Sequence, residues 1–519
     1  MTRGVRRMLA GALTTAAMTG AIGAAQADAA PPQRQLLVVH RPSDTTVATR
    51  AVARTSGRIV RRIPRLGILV IRTRRPRARA RLLRIPSVTD VVPDTSPARP
   101  PKQSVRTARR GARALQTGSP GPDPLEPLQW NLQQVRAGEA ADRQDIRPEV
   151  VVGVIDAGID ATHPDLRGVY DAAGSRSFTR DQAGDGACAD EADGSCLDAP
   201  DTDDRGSGTH IASIVAAARD GAGIAGVAPG VRVASLRATQ DRGELLLTPF
   251  LDALAHAANR DMDVVLVGQS ITIPGDDCSA QPAALAARLA AKTAVQRAVD
   301  DARGRGVTIV SGLGDDGRPL GADGCAVLPA QARGVVAVSA LGPDRLPAPY
   351  ANTGLPWVSL AAPGGNQRAF ADDPLHADLP ENMVLGADPT GLAAGRGELD
   401  ANGTPLTPAV LGTCIGSVCT YYRWREGSAI AAAHVAGTAA LIISRYGFGA
   451  KAASDPLTPG AIAVRMERTA APFACPDPAD TPSAVLPPCS ADSGQTTVAG
   501  FGILDAAASV GARAAQSAG

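Results

Sequence analysis

From Pro124 onward two hydrophobic patterns alternate along the chain. Near-continuous apolar runs occupy 150–155, 231–236, 263–268, 307–311, 335–339 and 357–361. Between them lie segments whose apolar residues recur at helical spacing: 209–219, 249–260, 283–305 and 429–445. A strand that is apolar on both faces must be covered on both faces, which a sheet built from strand, helix, strand crossovers achieves. The expected fold class is therefore α/β, a doubly wound parallel sheet with helices on both faces. Ligands in that architecture meet the carboxyl ends of the strands.

A smaller α/β unit precedes it. Strands are expected at 36–39, 58–62, 66–72 and 88–92, with helices at 46–55 and 77–83. About sixty residues form a marginal core, steadier when packed against something larger. The stretch 94–122 is rich in Pro, Arg, Gly and Ser without periodicity, which is linker composition. Arg109-Arg110 within it reads equally as a processing point or as two of many arginines.

At the start, Arg3, Arg6 and Arg7 precede a weakly apolar run at 8–25, followed by small-residue sites at Ala25-Gln26-Ala27 and Ala27-Asp28-Ala29. This is the pattern of a secretory signal peptide. The run is rich in Gly, Ala and Thr rather than Leu and Ile, which argues against an anchor, and no other stretch reads as a membrane span. The expected organisation is a signal peptide at 1–29, a small unit at 30–95, a linker at 96–122, a large domain at 123–512 and a tail at 513–519.

With 44% hydrophobic and 20% charged residues in 519, the chain is globular rather than disordered. Its charges are segregated. Residues 34–113 hold twenty-one Arg or Lys and three Asp, a net of +18, and residues 114–519 carry −18. A basic arm of this kind can bind nucleic acid or a membrane surface. Here an acidic partner follows in the same chain, so intramolecular docking is the preferred reading, with no nucleic acid.

Eight cysteines fall into neighbouring pairs, Cys188 with Cys196, Cys414 with Cys419 and Cys475 with Cys489, leaving Cys278 and Cys325. Export permits disulfides, and proximity alone suggests this pairing. Zinc is disfavoured because no Cys-x-x-Cys or clustered His occurs. Two long irregular inserts are expected, 181–204 and about 364–426. The first holds nine Asp or Glu. Calcium is an alternative use for it, but the spacing does not follow the EF-hand pattern and a solvated loop explains it as well.

Three segments carry candidate chemistry. Asp156 closes the first long strand, before Gly158 and His163-Pro164-Asp165-Leu166. Gly206 and Gly208 loosen the chain before Thr209 and His210 open a helix. Gly427-Ser428-Ala429 opens the Ala-rich helix. Asp156 alone reads as a turn cap and His210 alone as a locally satisfied imidazole.

Together and in this order the segments resemble the subtilase family, the subtilisin-like serine peptidases. The family's Asp-Thr-Gly corresponds to Asp156-Ala157-Gly158, its Gly-His-Gly-Thr-His to 206–210, and its Gly-Thr-Ser-Met-Ala-Ala-Pro-His-Val-Ala-Gly to 427–437. "DPLEPLQWNL" at 123–132, "SLAAPG" at 359–364 and "FGILDAAASV" at 501–510 support it. The resemblance implies that the unit at 30–95 is an inhibitor and chaperone propeptide, and that Asp156 orients His210, which deprotonates a serine.

That serine is missing. The nucleophile position is Ala429, whose methyl cannot form an acyl intermediate. Loss of this serine alone costs a subtilase on the order of 10⁶ in turnover. Ser428, one residue earlier, is turned about 100° around the helix and is expected to act as its N-cap. The position of the family's oxyanion-binding Asn is Asp315, where an ionised carboxylate repels developing negative charge. Ser207 stands where the family has His, and Gly268-Gln269-Ser270 where it has Ser-Leu-Gly. The expectation is a secreted homologue, without turnover, that retains a peptide-binding cleft and needs no cofactor. The alternative is an active serine endopeptidase using Ser428 or a rearranged site.

Overall fold

The computed structural model describes residues 34–94 except 56 and 76, residues 116–117, and residues 123–511 except 180–197, 241–242, 274–277, 322–324, 371–372, 374, 377, 390, 416–417, 448–456 and 478–485. The expected signal peptide, most of the linker, the tail and the Cys188 and Cys196 pair lie outside the described residues.

The first unit runs β1 (Arg34–His40), α1 (Thr45–Thr55), β2 (Arg58–Ile63), β3 (Ile68–Thr73), α2 (Ala78–Leu82) and β4 (Val88–Pro93). Its strands form an antiparallel sheet of order β2-β3-β1-β4. Strand residues alternate between faces. Leu36, Val38, Leu69 and Ile71 pack under the unit's own helices, leaving Leu37, Val39, Ile68 and Val70 to be covered from elsewhere.

The cover comes from the large domain. After β5 (Gln116–Thr117), α3 (Trp130–Gln134) and α4 (Ala137–Asp142), the chain makes β6 (Val151–Asp156), α5 (Pro164–Arg167), β7 (Arg176–Ser177), α6 (Ser207–Ala216), β8 (Arg232–Arg237), α7 (Leu247–Asn259), β9 (Val264–Val267), α8 (Pro282–Arg303), β10 (Thr308–Gly312), β11 (Val336–Leu341) and β12 (Leu360–Pro363). These strands form a seven-stranded parallel sheet of order β12-β11-β10-β9-β6-β8-β7. Helices α7 and α8 cover one face and present their outer surface to Leu37, Val39, Ile68 and Val70 of the small sheet.

Polar ties fix the orientation of the docked unit. Arg61 Nε lies 2.7 Å from the buried Asp252 Oδ1, and Arg297 Nη1 donates to the carbonyls of His40 and Leu66, both at 2.9 Å. The N–H of Thr248 donates to Asp94 Oδ1 at 3.1 Å. The segregated charge thus accompanies a packed intramolecular interface.

The opposite face of the parallel sheet carries α6 and α10 (Ser428–Tyr446). By length and hydropathy α10 is apolar enough to cross a bilayer, yet 89% of its apolar window is buried inside the protein. It is the central core helix. Its alanines bring it close to β9, β10 and β11, and Gly437 leaves no room for a Cβ, which would lie 2.7 Å from Val227.

One expectation is corrected. The segment 364–426 is not irregular: it contains β13 (Val384–Ala387), α9 (Leu392–Gly395), β14 (Val410–Ile415) and β15 (Val418–Arg425). With β5 these strands form a second sheet, β13-β15-β14-β5. Gly, Pro and Asp interruptions hide it, but the aromatic and β-branched run Thr420-Tyr421-Tyr422-Arg423-Trp424 is strand composition. Cys414 faces Cys419 across the β14–β15 ladder and the two are joined, as are Cys475 with Cys489 and Cys278 with Cys325.

Candidate active-site cleft

Buried strand β6 delivers Asp156 to the carboxyl edge of the parallel sheet, with its side chain 1% exposed. Beside it, β9 ends before Gly268 and β10 before Asp315. The N-termini of α6 and α10 point at the same edge. Gly206 precedes α6 with φ 74°, a left-handed conformation that glycine adopts without strain. Asp203 accepts the N–H groups of Gly206 and Thr209, each at 2.8 Å, and so supplies the acceptors that the start of α6 lacks. Asp156, Ser207, His210, Gly268, Asp315, Ser428 and Ala429 all line one cavity of about 640 Å³. The candidates singled out in the sequence are therefore brought together.

Asp156 and His210 are each bonded to other groups than one another. Asp156 Oδ1 accepts the N–H of Ala157 at 2.7 Å and, at short range, the hydroxyl of Ser207. Asp156 Oδ2 is buried without a hydrogen-bond partner. Burial, and then the nearby charge of Asp203, push its pKa up to about 6. His210 Nε2 lies 3.2 Å from the Val384 carbonyl on β13 and 3.1 Å from the Arg423 carbonyl on β15. Two carbonyl acceptors require Nε2 to carry the proton. Nδ1 is then the bare nitrogen, and it is buried without a partner. A general base needs the opposite tautomer, with Nδ1–H donating to the aspartate and Nε2 free to take a proton. Burial, aided by the charge of Arg425, lowers the imidazole pKa to about 3.

Nor is Ser428 hydrogen-bonded to the imidazole. Its hydroxyl accepts the N–H of Gly314 at 3.1 Å, and a Cβ at Gly312 would lie 2.6 Å from the same oxygen. It does not cap α10: Gly427 is the N-cap, without a side-chain bond, and Ser428 is already helical. Asp315 takes the capping role from a distant loop, its Oδ1 accepting the Ser428 N–H at 2.8 Å. Asp315 thereby places a carboxylate at the helix N-terminus, where the dipole favours negative charge. The protein mass around the cleft pushes its pKa up to about 6, desolvation outweighing the bonds to Ser428. The side chain still opens to cleft solvent, which screens it.

The sheet of β13, β14 and β15 contributes residues that the sequence did not single out. A Cβ at Gly386 would lie 2.6 Å from His210 Cδ2, so the bare glycine is the seat of the ring. Buried Asp388 gathers Arg423 at 3.2 Å, Arg425 at 3.4 Å and Arg396 at 3.6 Å, fastening the sheet beside α6. Tyr422 donates to buried Asp165 at 3.0 Å. Only the aromatic run in β15 signalled this layer; which backbone atoms it aims at His210 depends on strand pairing.

Among the described residues no group of three or more His, Cys, Asp or Glu is arranged to hold a metal. The described end of the acidic insert is engaged by protein: Asp198 and Asp204 pair with the buried guanidinium of Arg237.

The sequence profile of the subtilase family matches residues 147–502. The chain belongs to the subtilase family. A thermophilic serine proteinase of Bacillus sp. (strain AK1) is 28% identical over 276 residues, covering 53% of this chain and 59% of that protein. Subtilisin DY of Bacillus licheniformis is 25% identical over 297 residues, covering 57% and 77%. The chain thus spans little more than half of the first relative. The epidermin leader peptide processing serine protease EpiP of Staphylococcus aureus superposes with a TM-score of 0.63 at 16% identity, over 92% of this chain and 98% of that one. That likeness is one of fold. Residue 429 carries a methyl, the imidazole of His210 is bonded to backbone carbonyls, and the side chain bonded to Asp156 is that of Ser207.

Proposed function

We propose that this chain is an exported subtilase homologue without turnover, whose cleft binds extended peptide and whose residues 30–95 stay docked as an inhibitor-like propeptide. The observation that carries the reading is the engagement of Ser428: the hydroxyl next in sequence to Ala429 is bonded to Gly314 N–H, while the proton-bearing nitrogen of His210 faces carbonyls. Among the described residues no hydroxyl lies within hydrogen-bond reach of the bare Nδ1 of His210, and nucleophilic catalysis requires an oxygen beside such a base. Peptide binding needs less. Pairing along the edge at 268–270 uses backbone groups, which survive a change of side chain. The cavity beside that edge is about 640 Å³.

The test treats purified full-length protein with a fluorophosphonate probe and with casein. Neither labelling nor hydrolysis is expected. Labelling at Ser428 that disappears in Ser428→Ala would establish the active-endopeptidase alternative. A chain that cannot cut itself also keeps the segment near 31–110 attached, and mass spectrometry of protein secreted by a protease-deficient host checks this. Autonomous cleavage near Arg110 contradicts it.

A further inference from the structure

We propose that the outer face of the docked amino-terminal unit, formed by α1 and α2, is a docking surface for a membrane rich in anionic phospholipid. This surface lies away from the cleft, and its role holds whether or not the cleft turns over substrate.

The argument starts from charge that docking leaves unused. Residues 34–94 hold fifteen Arg, three Asp and no Lys or Glu. Among the described residues, one of these guanidinium groups forms an ion pair with the large domain, Arg61 with Asp252. One face of the small sheet is turned to α7 and α8, so α1 and α2, packed on the other face through Ala48, Val52, Ala78 and Leu82, lie outermost. On α1, Arg50 and Arg54 each follow a buried residue by two places, about 200° round the helix, and are exposed. Arg77, Arg81 and Arg84 are exposed on and beside α2. None of these five is in an ion pair among the described residues. The three carboxylates are engaged elsewhere: Asp94 accepts the Thr248 N–H, Asp90 lies in the field of Arg297 on α8, and Asp44, in the turn before α1, accepts the hydroxyl of Ser43. A face that is merely solvated mixes both signs, whereas a face of one sign draws an oppositely charged partner.

Two features choose the partner. Val47 is 62% exposed and Leu83 40%. Val47 precedes Arg50 by three residues and shares its side of α1, and Leu83 adjoins Arg84. Basic groups interleaved with exposed apolar side chains fit the boundary between headgroups and acyl chains, where guanidinium groups bind phosphate and apolar groups leave water. Residues 34–94 also contain no Phe, Tyr or Trp, so the face offers no platform on which nucleic-acid bases could stack.

The test is cosedimentation of the full chain with vesicles of phosphatidylglycerol and phosphatidylcholine in equal parts, and with vesicles of phosphatidylcholine alone. Binding is expected to the first and not to the second at about 0.1 M NaCl, with release at about 0.5 M as screening tightens. At a factor of about five for each arginine, Arg50→Glu with Arg54→Glu is expected to weaken binding about thirtyfold or more. Arg81→Glu with Arg84→Glu should do the same independently from α2. Arg167→Glu with Arg260→Glu, at exposed positions of the large domain, changes the net charge equally and is expected to leave binding unchanged. The basic residues of the linker are common to all three variants. Val47→Ser with Leu83→Ser is expected to weaken binding severalfold. Failure to bind the anionic vesicles, or an equal loss in the large-domain variant, overturns the proposal. Binding to duplex DNA or heparin at least as tight as to the vesicles, unaffected by the two serine substitutions, also overturns it, because the partner would then be a polyanion in solution.

Discussion

Asp315 accepts the backbone N–H of Ser428 at 2.8 Å, so a residue in the loop after β10 caps a helix that begins 113 residues later. Capping bonds of this kind are worth about 1 kcal/mol, and a carboxylate adds a favourable interaction with the helix dipole. Asp315→Ala is expected to lower unfolding stability by ~1 kcal/mol, and Asp315→Asn, which keeps an acceptor, by less. Urea denaturation measures both. Equal losses in the two variants would show that the cap contributes nothing specific.

Gly386 and His210 are coupled through space rather than through a bond. A methyl at 386 overlaps the ring, and overpacking of a filled interior typically costs about 1–3 kcal/mol. Gly386→Ala is expected to destabilise within that range, and much less in a His210→Ala background. A double-mutant cycle should return a coupling of about 1 kcal/mol or more. Additive effects would mean that the ring does not occupy the seat.

Asp165 gives a pH dependence whose sign can be worked out. Burial raises its pKa to about 7 against an ordinary 3.8, despite bonds from Ile224 N–H and Tyr422. The folded protein therefore holds this proton more tightly than the unfolded chain. The contribution to stability is full below pH 4 and is lost as pH rises through about 7. At about 1.4 kcal/mol per unit over about three units, the loss is roughly 4 kcal/mol. Urea midpoints of the unaltered protein and Asp165→Asn, compared at pH 4.5 and pH 8, should diverge with pH. A constant gap would contradict the assignment.

The docked unit can be tested by cutting the connection. Leu37, Val39, Ile68 and Val70 are fully buried against α7 and α8, an apolar contact that does not depend on the linker. After limited proteolysis within 95–115, the two pieces are expected to co-elute in size-exclusion chromatography at 0.5 M NaCl. Val70→Asp buries an uncompensated charge and should release the small piece. Arg297→Ala, which removes two bonds to carbonyls, should weaken the association about tenfold. Immediate separation of the unaltered pieces would show that the linker alone holds them together.

Much of the architecture was legible because burial on two faces leaves a plain mark in composition. The run ending at Asp156 and the runs at 264–267 and 308–312 admit few structures other than central parallel strands. The spacing of small and apolar residues in 428–446 likewise fixed a core helix. The strand expected at 357–361 begins only at Leu360, because Trp357 still belongs to a turn closed by its N–H on the Gly354 carbonyl. The sheet of β13, β14 and β15 was missed because glycine, proline and aspartate break its alternation, and its strands are recognised by whom they pair with.

The same division runs through the site. That Ala429 has no nucleophilic oxygen is a property of one residue, and covalent chemistry made it readable from the chain alone. Where the hydroxyl of Ser428 points, which nitrogen of His210 holds the proton, and that Asp156 bonds to Ser207 are not properties of any one residue. They depend on carbonyls delivered by β13 and β15 and on space left by Gly268 and Gly386, which lie far apart in sequence. A side chain's donors and acceptors are written in its covalent structure; their partners are chosen by packing, which only the folded chain supplies.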